Sequence, residues 1–308
     1  MRTSRLPQLD APLFVTDGGL ETTLVFDFGI DLPDFAAFPL LVSDDGREHL
    51  RHYYAPYLEL AERHGVGIIL DTPTWRANPD WAARLGYDEP RLDDVNRGAV
   101  DFVRNLANEW PGVRAVVSGA IGPRGDGYVV GSMMSAETAA SYHEAQIQAF
   151  ADAGADLVSA LTLTYANEAV GVALAAMRRG LPSVISFTVE TDGRLPSGMT
   201  LKDAINFVDE GTSAAPAYYM VNCAHPSHLV DALSADGQWR YRLKGIRANA
   251  SRMSHAELDA AEFLDRGDVL ELAGELQVLR SLVPDLRVVG GCCGTSHEHI
   301  AAIAATLV

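Results

Sequence analysis

The chain has 308 residues, of which 48% are hydrophobic and 21% are charged, so it can bury a large core and does not have the composition of a disordered protein. It carries 24 Lys and Arg against 41 Asp and Glu, which gives a formal net charge of −17 at pH 7. A field this negative repels phosphate backbones and anionic lipids, so we do not expect nucleic acid or a membrane surface as a partner.

Three cysteines occur in the whole sequence. No apolar run reaches the roughly 18 residues of a membrane-spanning helix, and segment 1–13 lacks the continuous apolar stretch of a signal peptide. We therefore expect a cytoplasmic protein whose thiols stay reduced. A small, odd number of cysteines in such a compartment indicates metal binding or catalysis rather than a disulfide framework.

Apolar, β-branched runs recur along the chain and predict eight strands, at 13–16, 66–70, 113–117, 156–161, 183–188, 218–221, 243–246 and 286–289. Amphipathic stretches between them predict helices that are each followed by a glycine, at 53–64, 136–153 and 167–179. Continuous apolar strands that alternate with helices indicate a parallel sheet buried on both faces.

Eight strands of this kind close a (β/α)8 barrel, so we predict the α/β class and a single TIM-barrel domain over 1–308. The alternative is an open doubly wound sheet. Such a sheet normally carries a glycine fingerprint after its first strand, and segment 17–21, Asp-Gly-Gly-Leu-Glu, does not match it.

All three cysteines lie where a predicted strand ends, Cys223 after the sixth and Cys292 and Cys293 after the eighth. One strand separates these two in a closed barrel, so the three sulfurs can converge. Three sulfur ligands with one vacant position are typical of a catalytic zinc site, and Gly291 and Gly294 allow the turn that adjacent ligands need. The sequence therefore predicts Zn²⁺ as cofactor. The alternative is that the cysteines are small buried hydrophobic residues.

Other polar residues at strand ends are candidate substrate contacts. Backbone amides at Gly18 and Gly19 can approach a carboxylate while Asp17 or Glu21 meets an ammonium, although an ordinary turn capped by Asp17 explains this segment equally well. Thr72 lies in the polar, aromatic segment that follows the second strand. Segment 247–249 either binds substrate or caps the next helix. His225 is a candidate to contact and orient the metal ligands without binding the metal itself.

Together these residues resemble the homocysteine S-methyltransferase family over nearly the whole chain, most specifically at Asn222-Cys223 and at 290–295, Gly-Gly-Cys-Cys-Gly-Thr. The resemblance implies a barrel in which Cys223, Cys292 and Cys293 bind zinc and the homocysteine thiolate takes the fourth position. It also implies methyl transfer to that thiolate from an onium donor (S-methylmethionine, S-adenosylmethionine or betaine-like), giving methionine. No catalytic residue is then needed beyond the zinc-activated thiolate, and the partners are a small-molecule thiol acceptor and a methyl donor.

One position departs from the family pattern. Where the family has a glutamate that holds the amino group of homocysteine, this chain has Leu161. Either Glu168, Asp17 or Glu21 replaces that glutamate, or the acceptor is a different small thiol or methylated sulfur compound. The predicted substrate-binding residues are Asp17, Gly18, Gly19, Glu21, Thr72, Thr162 and Asn222. A third hypothesis is a non-enzymatic zinc or redox sensor whose adjacent cysteines oxidise to a disulfide.

Overall fold

The structure, a computed structural model, describes residues 6–10, 13–283 and 285–308. Eight parallel strands pair in chain order, and the first strand pairs with both the second and the eighth, which closes the barrel. The strands are β1 Phe14–Val15, β2 Gly67–Asp71, β3 Ala115–Ile121, β4 Leu157–Leu163, β5 Ser183–Phe187, β6 Tyr218–Ala224, β7 Leu243–Ala248 and β8 Val288–Gly291. The predicted (β/α)8 barrel is confirmed. The open doubly wound sheet is wrong, because an open sheet has two edge strands with one unpaired side each, whereas here β1 pairs with β8 and leaves no edge.

Helices separate the strands along the chain. They are α1 Leu20–Phe26, α2 Asp44–His64, α3 Pro79–Arg84, α4 Glu89–Asn108, α5 Ala136–Asp152, α6 Ala166–Arg178, α7 Leu201–Thr212, α8 Val230–Ser234, α9 His255–Ala260, α10 Val269–Leu282 and α11 His297–Leu307. The predicted helix at 53–64 is the second half of α2. This helix begins earlier because the Ser43 side chain accepts a hydrogen bond from the Gly46 amide and caps its first turn. The other two predicted helices correspond to α5 and α6.

The amino-terminal half of the barrel interior is filled by apolar side chains. A buried cluster there consists of Leu6, Phe14, Ile69, Val116, Leu157, Val184, Tyr218, Met220 and Val288. Gly67 makes room for the Phe14 ring, since a Cβ atom at this glycine would lie 2.3 Å from it. A larger cluster packs the outer faces of the strands against the helices. The filled interior leaves the carboxyl end as the place for a cavity.

Among the described residues, no helix is both long enough and apolar enough to cross a lipid bilayer. Of the amino-terminal segment 1–13, which we expect not to be a signal peptide, residues 1–5, 11 and 12 lie outside the described part of the chain.

Candidate metal centre and active site

Three sulfur atoms meet at the carboxyl end of the barrel. Cys223 lies at the end of β6, and Cys292 and Cys293 come directly after β8. The three Sγ atoms lie within 4.8 Å of one another, and Cys223 is buried while the other two are half-buried. Within the described residues, these cysteines form the one group of three His, Cys, Asp or Glu side chains placed to hold a metal ion.

A disulfide joins Cys223 to Cys292, and Cys293 is a free thiol. From the sequence we expect reduced cysteines, and we expect any oxidation to join the adjacent pair, Cys292 and Cys293. Both expectations differ from the structure. The Cα atoms of Cys223 and Cys292 lie 5.3 Å apart, a normal separation for a disulfide, whereas adjacent residues can be joined only with backbone strain. Burial raises the pKa of the remaining Cys293 thiol.

Two strand ends at the site have an unusual backbone conformation. The φ angle is 62° at Thr162 and 55° at Cys223, in the left-handed region that residues other than glycine rarely adopt. Strand pairing changes register at both places, in β4 and in β6. Such irregularities change the direction of a side chain, and strained residues of this kind concentrate at functional sites. Nothing in the residue types at these positions indicates the conformation.

Asn222 connects the ends of β4 and β6. Its Oδ1 atom accepts hydrogen bonds from the Thr162 amide at 2.8 Å and from the Ser186 hydroxyl at 2.6 Å. Its Nδ2 atom donates to Thr162 Oγ1 at 2.7 Å and lies 3.8 Å from Cys292 Sγ. Two of the predicted substrate-binding residues, Thr162 and Asn222, therefore lie at the site and are hydrogen-bonded to each other.

A buried ion cluster lines the same cavity as the cysteines. The Arg247 guanidinium contacts Asp17 Oδ1 at 2.5 Å and also binds the carboxylate of Asp71, and Tyr53 donates its hydroxyl to Asp17 Oδ2 at 3.0 Å. Burial raises the pKa of Asp17 to about 6, although the Arg247 charge opposes this. Both oxygens of Asp17 are thus engaged by the protein. Within segment 247–249, the Arg247 guanidinium is paired with two carboxylates. It therefore does not cap the next helix and is not free to bind a substrate.

Gly18 and Gly19 are required by close packing. A Cβ atom at Gly18 would lie 2.7 Å from the Thr295 carbonyl oxygen, and one at Gly19 would lie 2.6 Å from the Cys292 carbonyl oxygen. The Gly19 amide donates to the Thr295 carbonyl at 3.1 Å. These glycines therefore allow the first strand end to approach the turn that carries Cys292.

The carboxylates expected to replace the family glutamate have different surroundings. Glu168 is buried and does not line the cavity that contains the sulfurs. Its Oε1 atom accepts a hydrogen bond from the Arg124 amide at 2.7 Å and lies 2.9 Å from His143 Nε2. Glu21, in the first turn of α1, is half-buried and faces the same cavity as Leu161. Burial raises the pKa of Glu21 to about 7. Asp17 lines the cavity too, but Arg247 and Tyr53 engage its two oxygens, so Glu21 is the candidate whose position leaves it best able to reach a ligand.

A histidine that the sequence does not mark as a candidate supports the cysteines. His255, at the start of α9, is buried, and its Nε2 atom lies 2.9 Å from the Cys223 carbonyl oxygen. His225, the candidate from the sequence, does not take this role, because its Nε2 atom lies 3.3 Å from Glu275 Oε2. Burial lowers the pKa of His225 to about 4. The fold brings His255 here from a helix that begins well after Cys223 in the chain, so neighbourhood in sequence could not reveal it.

A cavity of about 390 Å³ opens over the cysteines, which is the size of a small-molecule site. All the predicted metal and substrate residues line it: Asp17, Gly18, Gly19, Glu21, Thr72, Thr162, Asn222, Cys223, Cys292 and Cys293. Its remaining walls are largely apolar and aromatic, with Phe26, Phe35, Trp75, Tyr128, Leu161 and Phe263 among them. The Thr72 hydroxyl accepts a hydrogen bond from the Ala120 amide at 2.9 Å, which fixes this side chain in the cavity wall.

A family model described as homocysteine S-methyltransferase matches residues 14–307. The chain belongs to the homocysteine S-methyltransferase family. It is 25% identical to the homocysteine S-methyltransferase of Escherichia coli strain K12 over 310 residues, covering 95% of this chain and 94% of that protein. It is 24% identical to homocysteine S-methyltransferase 1 of Zea mays, over 95% of this chain and 94% of that protein.

Solved structures agree on the fold. The oxidised form of an Escherichia coli homocysteine methyltransferase matches 96% of each chain with a TM-score of 0.75 and 22% identity. The metallated form of that enzyme matches 95% of each chain with a TM-score of 0.73. Family membership makes the chain a methyltransferase, so the hypothesis of a non-enzymatic sensor is wrong.

Proposed function

We propose that this enzyme methylates the sulfur of homocysteine, giving methionine, and that Cys223, Cys292 and Cys293 hold a zinc ion. The observation that carries the proposal is the meeting of three sulfurs within 4.8 Å at the base of a small-molecule cavity. Together with family membership, this arrangement favours methyl transfer to a thiol over other barrel chemistries.

The donor set fits zinc. Three sulfur atoms without a carboxylate oxygen among them suit a soft or borderline ion, and three protein ligands leave a fourth position for a substrate. Zinc bound here would keep the acceptor thiol deprotonated at neutral pH. Metal ligands must be thiolates, so Cys223 and Cys292 have to be reduced before they bind. We propose the cytoplasm as the location for the same reason.

In the proposed reaction, a new bond forms between the acceptor sulfur and the methyl carbon. The bond from that carbon to the donor sulfur or nitrogen breaks, and its electron pair stays on that sulfur or nitrogen atom, which loses its positive charge. No protein base takes a proton in this step, because the acceptor already reacts as a thiolate. The contribution of the protein is to orient both substrates and to exclude water from the apolar cavity.

The methyl donor is proposed to be a sulfonium or another onium compound. Phe26, Phe35 and Phe263 line the cavity, and aromatic faces attract a cation whose charge is spread over methyl groups. S-Methylmethionine, S-adenosylmethionine and betaine-like compounds are the donors to compare.

We propose that Glu21 holds the amino group of homocysteine, because it faces the cavity whereas Asp17 and Glu168 are engaged elsewhere. A second candidate function follows from Leu161. This leucine adds apolar wall next to Thr162, which favours a small thiol without an ammonium group. The fold and metal chemistry would be the same.

The test begins with protein purified under reducing conditions and incubated with zinc. We expect one zinc ion per chain and methylation of homocysteine by at least one onium donor. Binding of homocysteine is compared with binding of 4-mercaptobutanoate, which is the same thiol without the amino group. Tighter binding of 4-mercaptobutanoate would favour the second candidate, and a reduced protein that binds no zinc would refute the proposed centre.

A further inference from the structure

Tyr128 contacts the cysteine that takes no part in the disulfide. It lies in loop 122–135, which connects β3 to α5 and reaches over the cavity. Its hydroxyl oxygen lies 3.5 Å from Cys293 Sγ. Its ring stacks on His255, with ring centroids 4.1 Å apart and an interplanar angle of 14°. His255 Nε2 in turn lies 2.9 Å from the Cys223 carbonyl oxygen, so Tyr128 contacts Cys293 directly and is connected to Cys223 through His255.

The loop that carries Tyr128 is anchored at its base. The Arg76 guanidinium lies between two indole rings, 4.2 Å from the centroid of Trp75 and 3.7 Å from that of Trp81. From there its Nη1 atom donates to the Gly125 carbonyl at 3.1 Å. Trp81 donates to the same carbonyl at 3.3 Å. Arg76 is buried and Gly125 is exposed, so these hydrogen bonds connect the surface loop to a fixed side chain below it.

The segment next to Tyr128 is also fixed. Asp126 Oδ1 accepts hydrogen bonds from the amides of Tyr128, at 2.7 Å, and Val129, at 3.0 Å, which sets the turn. Gly127 packs so closely that a Cβ atom there would lie 3.0 Å from Trp75 and 3.2 Å from Thr162. These contacts direct the tyrosine side chain at Cys293.

We propose that Tyr128 is a positioning residue whose hydroxyl donates a hydrogen bond to Cys293 and holds this sulfur in place as a metal ligand. The inference rests on the proposed zinc centre. A metal-bound thiolate has no proton and can only accept, whereas a phenol can donate. A phenol has an ordinary pKa of about 10, so at neutral pH it carries the proton that it donates.

A hydrogen bond of this kind draws electron density from the sulfur and orients it towards the metal. Groups that orient metal ligands in this way typically contribute tenfold to 100-fold in metal affinity. The competing explanation is that Tyr128 only packs, through its ring on His255. The two explanations differ in what removal of the hydroxyl alone does.

The experiment compares Tyr128→Phe, Tyr128→Leu and wild-type protein, all fully reduced. The control is Tyr87→Phe, because the Tyr87 ring packs edge-on against Phe38 and does not line the cavity. Two properties are measured: zinc affinity by chelator competition, and the sulfur-to-cobalt charge-transfer band of the Co²⁺-substituted protein. We expect Tyr128→Phe to weaken zinc binding about tenfold and to move the band to lower energy, while Tyr87→Phe changes neither.

A Tyr128→Phe protein with wild-type affinity and an unshifted band would overturn the inference. The inference is also overturned if zinc affinity and the charge-transfer band change in Tyr128→Leu but not in Tyr128→Phe. The ring, and not the hydroxyl, would then be responsible. Wild-type protein that binds neither zinc nor cobalt would instead refute the proposed metal centre, and with it the role of Tyr128.

Discussion

The proposed role of Glu21 gives a prediction in which the acceptor and the protein are changed together. Glu21→Gln keeps the size of the side chain but removes the charge that would pair with the ammonium of homocysteine. The ammonium-free acceptor 4-mercaptobutanoate should be unaffected. Glu137→Gln is a matched control, because Glu137 also lies in the first turn of a helix but is exposed and outside the cavity.

The size of the effect follows from the burial of Glu21. A hydrogen bond to a charged group contributes about 1.5–3 kcal/mol, which is roughly 10- to 100-fold in affinity. Glu21 is half-buried in an apolar cavity, so we expect the effect on homocysteine to fall within that range. Binding is measured by calorimetry on the zinc-loaded protein without a methyl donor, so that methyl transfer does not contribute.

The pH dependence provides an independent check. Burial raises the pKa of Glu21 to about 7, so the carboxylate is ionised above this pH and protonated below it. The preference for homocysteine over 4-mercaptobutanoate should therefore fall by up to about tenfold between pH 8 and pH 6. Taking the ratio of the two acceptors cancels the titration of their shared thiol. If Glu21→Gln weakens both acceptors equally, or leaves this pH dependence intact, Glu21 does not bind the ammonium.

Three further substitutions test the centre and its support. Cys223→Ala should abolish tight zinc binding and methyl transfer while circular dichroism shows a folded barrel; an insoluble protein would mean that the metal is structural. Arg247→Met should lower the free energy of unfolding in urea by about 3–5 kcal/mol, because it leaves Asp17 and Asp71 buried without their cation, and a loss below about 1 kcal/mol would contradict this. Gly19→Ala should weaken zinc binding, because its Cβ atom would lie 2.6 Å from the Cys292 carbonyl, whereas Gly98→Ala, which meets nothing within 4 Å, should not.

The fold could be predicted because its determinants are local. Each strand of the barrel is buried on both faces, and its continuous apolar run is visible without knowledge of its neighbours. The ends of the elements were less predictable. Strand β6 continues beyond 221 to Ala224, through polar residues, because Asn222 finds its hydrogen-bond partners on β4 and β5. Those partners belong to other strands, so the residue types around 222 do not reveal them.

The cysteines could be predicted for a similar reason. A cysteine that follows a parallel strand lies at the carboxyl end of the barrel whatever the rest of the chain does. Tyr128 and His255 could not be found in this way. One lies in a long loop and the other begins a helix after a loop, so their positions depend on tertiary contacts such as the stacking of their rings. Similarly, the sequence shows that Asp17 is acidic but not that Arg247 neutralises it.

The strained backbone explains why polar residues surround the sulfurs. A left-handed conformation at a residue other than glycine costs about 1–2 kcal/mol, so Thr162 and Cys223 need support from their surroundings. The Thr162 amide donates to Asn222, and the Cys223 carbonyl lies within hydrogen-bonding distance of His255. Asn222 and His255 therefore stabilise the same two strand ends that direct side chains into the cavity. Because the strain is offset by neighbours within the protein, the geometry around the sulfurs can exist before substrate binds, which is what a preorganised methyl-transfer site requires.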